Sequence, residues 1–589
     1  MDSKKVKWLI FIALLFIIGG GFLAYCIQTA GNTIKIKDVR FVGSDGRINS
    51  ALLYIPPGVS SKNPAPGIVA THGYINSRET QDGFAIEFAR RGYVVLAMDQ
   101  SGHGFSDPPA FAAGFGGLDS LKYMRTLDIV DPNNIGLEGH SMGGWASVIA
   151  AAVNPGGYKS LLLASSSTGT YGAPEGTAIF PRNMAIIFSK YDEFSRLMWG
   201  VDVPRDIVKT DKLKKIFATT EDVEVGKLYG SIEEGTARKL YQPNIIHPRV
   251  HFCTESIGNA IEWMQMTLTG GKDIPPGNQI WYWKELGNFI AMIGMILLLF
   301  PLGALLLQNN FFKELNESTP EKKSLKGFSW WIGAIITVLI PLPLFIFAIT
   351  SHGKGYQAGS ALWPQNITTT IMYWALFVAV ISLVLFLLWH FIFNRKNATF
   401  VNYGVTWQDK GIAWKKVGKS FLLAAIVCFF AYLTVAFSGW LFKTDYRLWV
   451  FAIKPMTALH FRIFLSYLIP FAVYFLIIGI ILHGQLRRGK EDDLKTWQEM
   501  LINIFLLITG YIIFEAFQYA PLFAGGALSI PDASLFFIVM FQFFPIFTIA
   551  ALISTYFYRK TGHIYTGAFL NAMLITWIIV AGQATHFPV

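Results

Sequence analysis

The chain is predicted to combine an α/β domain, with a mostly parallel sheet and flanking helices, and an all-α polytopic transmembrane domain. Three observations predict this division. Short β-rich runs alternate with helical stretches between residues 34 and 269, as a parallel sheet with crossover helices requires. From Trp283 onward, long apolar runs alternate with short basic loops. Of the 589 residues, 53% are hydrophobic and 15% are charged, which is too apolar for an ordinary soluble protein.

The hydropathy pattern divides the chain into three parts. We expect an N-terminal transmembrane anchor over residues 1–30, an α/β domain over 31–272, and a membrane domain of about eight transmembrane helices over 280–589. The anchor is the apolar run from Trp8 to Ile27, which follows three lysines. Because this run is long enough to cross a bilayer and only a weak cleavage site follows it, an uncleaved anchor is favoured over a signal peptide.

The distribution of Lys and Arg predicts the orientation in the cell membrane. Basic loops at 308–327, 394–418, 484–498 and 558–563 alternate with poorer loops at 351–369 and 522–533. Loop 443–461 is an exception, with Lys443, Arg447 and Lys454. Since cytoplasmic loops carry the excess of Lys and Arg, we predict a cytoplasmic N-terminus, with the α/β domain and the C-terminus outside. The net charge of +11 is therefore attributed to topology, and no nucleic-acid partner is expected.

Residues Gly139–Gly144 read Gly-His-Ser-Met-Gly-Gly and predict the nucleophile. The motif follows a β-rich run at 135–138 and opens an apolar helix at 142–153. A Gly-x-Ser-x-Gly motif between a strand and a helix is typical of a nucleophile elbow, a tight turn whose glycines leave the serine exposed at the tip. The helix N-terminus behind it favours developing negative charge. We therefore expect Ser141 to be a catalytic nucleophile.

Several strings together resemble the α/β-hydrolase superfamily, most closely its dienelactone-hydrolase and prolyl-oligopeptidase-like branches. They are Thr71-His72-Gly73, Asp99-x-Ser-Gly-His103-Gly104, Val130-Asp131-Pro132 and the motif around Ser141. The resemblance covers about residues 34–269 and implies the α/β-hydrolase fold. It also implies the chain order nucleophile, acid, histidine. It is specific for fold and reaction class, and implies little about the substrate.

The resemblance places an acid after a late strand and a histidine after the last one. Asp192 follows the strand expected at 184–188 and is the expected acid, with its neighbour Glu193 as the alternative. His247 follows the strand expected at 237–241 and is the expected base. His251, four residues on, is the alternative base.

The same architecture implies two backbone donors for an oxyanion hole. One is the N–H of the residue after the nucleophile, Met142, and the other comes from the loop after the strand at 67–71, which we assign to Tyr74. His72, Asp99 and His103 are interpreted as groups that brace their loops.

These residues predict a membrane-anchored, extracytoplasmic serine hydrolase with a Ser-His-Asp triad and no cofactor or metal. A carboxylic-ester hydrolase acting on an ester-containing small molecule or lipid is favoured. A serine peptidase of prolyl-oligopeptidase-like type is the alternative, and a transporter or sensor with a ligand-binding hydrolase-like domain is the second. The segment between Asp192 and His247 contains a lysine-rich stretch (Lys209, Lys212, Lys214, Lys215). It is interpreted as a lid, as a contact with anionic lipid headgroups, or as a solvated helix face.

Glu515 is the one carboxylate that the pattern places inside a predicted span. An ionisable group at that depth indicates function, and a neutral Glu515 hydrogen-bonded between helices is the alternative. The last two spans, around 557–562 and Asn571, faintly resemble CAAX-type intramembrane proteases. That family needs paired glutamates and histidines to bind metal and activate water. Because Glu515 is single, we expect a scaffold or a lipid-facing pocket and no protease chemistry.

Overall fold

The computed structural model describes residues 3–351, 357–407, 411–488 and 494–587, and parts of three predicted loops and the chain ends lie outside these ranges. Within them, a nine-stranded sheet forms the centre of the α/β region. Its strands are β1 (Lys35–Val42), β2 (Ile48–Ile55), β3 (Ala65–Thr71), β4 (Val94–Asp99), β5 (Val130–His140), β6 (Ser160–Ala164), β7 (Met184–Ile187), β8 (Leu228–Tyr229) and β9 (Arg238–Tyr241).

The sheet order is β1-β2-β4-β3-β5-β6-β7-β9-β8. β4, β3, β5, β6, β7 and β9 are parallel, and β1, β2 and β8 add antiparallel pairs at the two edges. The predicted fold class, a mostly parallel sheet with flanking helices joined to long apolar helices, is confirmed. β8 was not predicted, because two residues are too few to show a periodic pattern.

The helices of the N-terminal part are α1 (Ser3–Gln28), α2 (Asp82–Arg90), α3 (Gly117–Thr126), α4 (Met142–Val153), α5 (Ser195–Trp199), α6 (Asp211–Phe217) and α7 (Thr254–Thr267). Each face of the sheet packs on helices, because successive strand residues point to opposite sides. Leu163 packs with the core that includes α3 and α4, whereas Leu162 packs with the core that includes α2 and α7.

Among the described residues, nine helical segments are long and apolar enough to cross a membrane. They are α1, α8 (Trp281–Leu307), α9 with α10 (Gly327–Leu339, Pro341–Ser351), α11 (Asn366–Trp389), α12 (Trp414–Phe442), α13 (Ala458–Ile480), α14 (Thr496–Phe523), α15 with α16 (Ser534–Met540, Phe543–Thr561) and α17 (Tyr565–Gly582). Large apolar side chains such as Ile469 (73% exposed) point outward from these helices. An apolar outer surface is what a lipid environment requires.

The helices begin earlier than the apolar runs from which they were predicted. Glu285 and Glu499 are the first residues of the spans expected at 285–307 and 499–521, and both lie inside helices, in α8 (from Trp281) and α14 (from Thr496), each close to a helix end. The interpretation of Glu515 as the one carboxylate inside a span is therefore wrong. Polar residues that extend a helix beyond its apolar run carry no hydropathy signal, which explains the error.

The loops between the spans gather at two ends. At one end the basic loops contact each other, for instance through Glu317, which pairs with Lys416 and with His563 (2.9 Å). At the other end lies the hairpin of β10 (Tyr446–Leu448) and β11 (Phe451–Ile453), together with loop 524–530 and the C-terminal tail. This second end contacts the α/β region, for example where the guanidinium of Arg205 donates to the Gly525 carbonyl (2.5 Å).

Loop 443–461, the exception to the charge pattern, uses two of its three cations inside the protein. Arg447 is buried and donates to the carboxylate of Asp445 (2.5 Å) and to the hydroxyl of Thr80 (3.1 Å). Lys454 is buried and donates to the hydroxyl of Ser77 (3.0 Å). These two cations therefore bind partners at the contact with the α/β region, which explains why the loop breaks the alternation of basic and poorer loops.

Candidate active site

Ser141 lies on a sharp turn between β5 and α4. Its backbone angles, φ 53° and ψ −121°, are unfavourable for a residue with a side chain. The turn is too tight for side chains at the flanking glycines: a Cβ at Gly139 would lie 2.2 Å from the Gly143 carbonyl oxygen, and one at Gly143 would lie 2.1 Å from the Thr71 carbonyl oxygen. The hydroxyl of Ser166 donates to the Ser141 carbonyl (2.6 Å) and helps to fix the turn.

Asp192 and His247 form a buried pair. The Nδ1 atom of His247 lies 3.0 Å from both carboxylate oxygens of Asp192. Asp192 follows β7, and His247 opens a short 3₁₀ segment (His247–Phe252) after β9. Because β7 and β9 are parallel neighbours, their carboxyl ends bring the two side chains together. Burial alone would lower the pKa of His247, but the adjacent Asp192 carboxylate outweighs it and holds that pKa above its ordinary value.

His251, the alternative base, lies in a different setting. Both of its ring nitrogens are buried without a hydrogen-bond partner in the described part of the chain. Burial, followed by the charge of Arg447, lowers the pKa of His251 to about 3. The His251 ring packs edge-on against His140 (centroids 5.0 Å apart), which in turn packs against His247 (4.9 Å). His251 therefore lies next to the pair, and no carboxylate among the described residues bonds to its ring.

The loop after β3 passes over Ser141. A Cβ at Gly73 would lie 3.1 Å from the Cβ of Ser141, so the adjacent Tyr74 is near Ser141. Met142 begins α4 directly after Ser141. Both expected oxyanion-hole residues, Tyr74 and Met142, line the cavity that contains Ser141 and His247.

The residues interpreted as braces make buried hydrogen bonds. His72 accepts the Gln100 backbone N–H at Nε2 (3.0 Å), and burial lowers the pKa of His72 to about 3. Asp99 accepts the backbone N–H of Arg78 (2.8 Å) and of Phe105 (3.0 Å). The ring of His103 contacts the carbonyl of Ser101 (2.9 Å). These bonds hold the loops after β3 and β4 against each other.

Glu193 connects this site to the apolar helices. Its Oε2 accepts the backbone N–H of His247 (2.7 Å), and its Oε1 accepts the hydroxyl of Tyr519 on α14 (2.8 Å). The hydroxyl of Ser534 donates to the Glu193 carbonyl (3.0 Å). Burial, followed by the charge of Asp192, raises the pKa of Glu193 to about 7. Asp192 thus contacts the histidine ring, whereas Glu193 joins the histidine backbone to α14.

Glu515 lies one helical turn from Tyr519. It is 7% exposed, and neither of its carboxylate oxygens has a hydrogen-bond partner among the described residues. The expectation that Glu515 is hydrogen-bonded between helices is therefore wrong. Asn571, part of the faint protease resemblance, donates to the carbonyl of Ala550 (3.0 Å) on the neighbouring helix.

A cavity of about 890 Å³ surrounds Ser141 and has walls from both regions. The α/β region contributes Phe115, Met142 and Trp145 to its apolar lining. The helical region contributes residues from the start of α11, the β10–β11 hairpin, the α15 segment and the C-terminal tail. In that tail, Nε2 of His586 pairs with the hydroxyl of Tyr74 (2.8 Å), which places the tail beside the loop after β3.

The segment between Asp192 and His247 covers part of the cavity. Leu197 and Met198 of α5 line it. Lys212 is used internally, because its ammonium donates to the carbonyls of Thr168 (2.6 Å) and Met198 (2.9 Å). Lys209 and Lys214 form surface ion pairs with Asp206 (2.9 Å) and Asp222 (2.8 Å). Lys212 thus folds onto the α/β region, whereas Lys209 and Lys215 stay exposed.

The site residues contributed by the helical region were not predicted from the sequence. Tyr519, Ser534 and His586 contact the loops of the α/β region from positions 326, 341 and 512 residues away along the chain. No local motif surrounds them. One available signal was the four-residue spacing of Glu515 and Tyr519, which puts two polar side chains on one face of an apolar helix.

Comparison with known proteins agrees with this fold. Residues 66–198 match the family described as alpha/beta hydrolase fold. The quorum-quenching protein AidA of Acinetobacter baumannii (strain MDR-ZJ06) is 34% identical over 124 residues, which are 20% of this chain and 39% of that protein. The match thus spans about two fifths of the relative's length.

The chain is also similar to solved esterase structures. An esterase of Pyrobaculum calidifontis is 18% identical, with 46% of this chain and 94% of that chain covered and a TM-score of 0.30. An esterase of Pyrococcus furiosus is 15% identical, with 41% and 96% covered and a TM-score of 0.30.

Proposed function

We propose that this protein is a membrane-anchored serine hydrolase that cleaves carboxylic esters. Ser141 is the nucleophile, His247 the general base and Asp192 the acid that orients the base. The observation that carries the proposal is the buried Asp192–His247 pair, which shares one cavity with a serine on a strained strand-to-helix turn. The family match over residues 66–198 agrees with this reaction class.

The reaction follows from these positions. Nε2 of His247 takes the Ser141 proton as Oγ attacks the ester carbonyl, and the backbone N–H groups of Met142 and Tyr74 bind the resulting oxyanion. His247 then gives the proton to the leaving alcohol, which departs and leaves an acyl-enzyme. Water, activated by the same histidine, releases the acid and restores Ser141. Asp192 holds the proton on Nδ1 throughout, so that Nε2 is free to accept.

The apolar helices take part in positioning. We assign an anchor to residues 1–30, a hydrolase domain to 31–272 and a membrane domain to 280–589. In this arrangement Tyr519 and Ser534 of the membrane domain hold Glu193, and Glu193 holds the backbone of His247. A soluble hydrolase domain alone would lack these contacts, which gives the membrane domain a role in shaping the site.

The proposed topology has a cytoplasmic N-terminus, with the hydrolase domain and the C-terminus outside the cell membrane. Two features support it. The basic loops contact each other at one end of the helices, and the hydrolase domain contacts the opposite end. Two of the three cations of loop 443–461, which opposed this assignment, are bound inside the protein: Arg447 and Lys454. A membrane-impermeant serine probe should label intact cells, and labelling only after lysis would overturn this topology.

A fluorophosphonate probe tests the enzyme proposal directly. The full chain in membranes should be labelled, Ser141→Ala should not be, and Ser61→Ala, which changes an exposed serine, should be labelled like the wild type. Absence of wild-type labelling would contradict the proposal and favour a ligand-binding transporter or sensor. Short p-nitrophenyl esters compared with aminoacyl amides then separate esterase from peptidase. The apolar cavity lining favours the ester.

A further inference from the structure

One face of a candidate membrane span lines the cavity. Ser534, Leu535, Ile538 and Gln542 contribute to the wall, with spacings that keep them on one face of α15 and the turn after it. Ser534 lies beside the loop that carries Asp192 and Glu193, because its hydroxyl donates to the Glu193 carbonyl (3.0 Å). Gln542 is eight positions further on, which at 1.5 Å per residue is about 12 Å deeper along the span. The cavity therefore extends from the nucleophile toward the bilayer core.

The wall of the cavity combines the polar side chains of Ser534 and Gln542 with apolar side chains from both regions. Ile538 (7% exposed) supplies the membrane side, and Phe115 and Trp145 (6% each) supply the hydrolase side. The volume of about 890 Å³ is near the upper end of the range for small-molecule sites, ~300–1,000 Å³. A substrate as small as an acetate ester would leave most of this apolar surface in contact with water, whereas an alkyl chain would cover it.

We propose that the substrate of Ser141 carries a medium- or long-chain acyl group that lies along the α15 face, with its ester carbonyl at the nucleophile. The inference rests on the proposed esterase function and adds the substrate class. An extended alkyl chain with bonds of about 1.5 Å advances roughly 1.3 Å per carbon, so about nine carbons fill the 12 Å path. Each methylene that moves from water to this wall raises the rate by about fourfold, up to that length.

Alkyl fluorophosphonates of different lengths measure this preference at Ser141 without knowledge of the natural substrate. The full chain in detergent is labelled with an ethyl and with a decyl probe, and the ratio of the two rates is recorded. The wild type should react much faster with the decyl probe. Ile538→Trp should fill the deep part of the path and lower the decyl-to-ethyl ratio at least tenfold. Leu535→Trp, nearer the nucleophile, should lower it further.

Two comparisons keep the outcome interpretable. The decyl-to-ethyl ratio within each variant cancels any change in the reactivity of Ser141 that affects both probes equally. Ile512→Trp adds the same bulk at a position 49% exposed on the outer surface of α14, and it should keep the wild-type ratio. Equal ratios in Ile538→Trp, Ile512→Trp and the wild type would overturn the acyl-chain site. A chain that neither probe labels would instead overturn the hydrolase function itself.

The source of the acyl ester is then resolved with two substrates that share one chain length. Decanoylcholine is water-soluble, whereas a didecanoyl glycerolipid stays in a phosphatidylcholine nanodisc. Because the path follows a span, we expect the nanodisc lipid to be cleaved in the wild type and spared in Ile538→Trp. Cleavage of decanoylcholine alone would overturn entry from the bilayer.

Discussion

Replacing Tyr519 with Phe tests whether α14 contributes to catalysis. The change removes the hydroxyl that donates to Glu193 at 2.8 Å and keeps the ring that packs against Phe541 (centroids 5.4 Å apart). A hydrogen bond to a charged group contributes about 1.5–3 kcal/mol. Because the hydroxyl acts on Ser141 only through Glu193 and His247, we expect about 1.4 kcal/mol of this to reach the transition state, which is about a tenfold lower kcat.

The pH dependence makes this prediction specific. The Tyr519 hydrogen bond favours the charged form of Glu193, so its loss should raise the pKa of Glu193 above its value of about 7. More Glu193 is then neutral at pH 7, and less negative charge faces the imidazolium that His247 becomes during the reaction. Above the new pKa the carboxylate ionises again. The deficit in kcat should therefore be largest near neutral pH and shrink as the pH rises.

The assay is hydrolysis of p-nitrophenyl acetate by the full chain across this pH range. KM should change little, because the cavity wall here is formed by Glu193 and Tyr519 lies behind it. Tyr556→Phe is the matched control, since the Tyr556 hydroxyl has no hydrogen-bond partner in the described residues. An equal loss at every pH, or the same loss in Tyr556→Phe, would refute the coupling and leave only a structural effect of the hydroxyl.

Three further predictions follow from the site and its supports. Asp192→Asn should lower kcat by about 10⁴-fold. The acid limb of its pH–rate profile should move to lower pH, because the charge that raises the pKa of His247 is gone. An unchanged acid limb would contradict the pairing of Asp192 with His247. His247→Gln should abolish ester hydrolysis while His251→Gln retains most of it, and the reverse result would make His251 the base. Arg447→Met removes the cation beside the buried carboxylates of Asp445 and Glu79 and should destabilise the fold by about 3–5 kcal/mol. Thermal unfolding measures this loss against Lys62→Met, a control at an exposed lysine. Equal unfolding temperatures would show that the ion network does not stabilise the contact between the two regions.

Ser141, Asp192 and His247 were predictable because each follows the end of a strand. Parallel neighbouring strands bring their carboxyl ends to one edge, so residues after β5, β7 and β9 meet there whatever the loops between them contain. This explains why Ser141, Asp192 and His247, chosen from their positions in the sequence, line or adjoin one cavity. The spans were predictable for a similar reason, since bilayer thickness sets their length and composition.

The contributions of the helical region to the site were not predictable in this way. Whether Tyr519 faces lipid, another helix or the hydrolase depends on how the helices pack, and hydropathy carries no information about that rotation. The same limit applies to Glu515, whose lack of a hydrogen-bond partner is a property of the packed helices. For Arg447 the sequence was misleading, because a buried cation and a cytoplasmic one contribute equally to a charge count.

The contact between Tyr74 and His586 has a consequence for the biogenesis of the protein. The two residues are 512 positions apart, and a ribosome that adds about 5–20 residues per second needs roughly 25–100 s to pass from one to the other. During that interval the hydrolase fold has emerged, but the wall formed by α15 and the C-terminal tail does not yet exist. Synthesis order therefore delays completion of the cavity until the last helix is in place, so that nascent chains still being inserted lack the finished pocket.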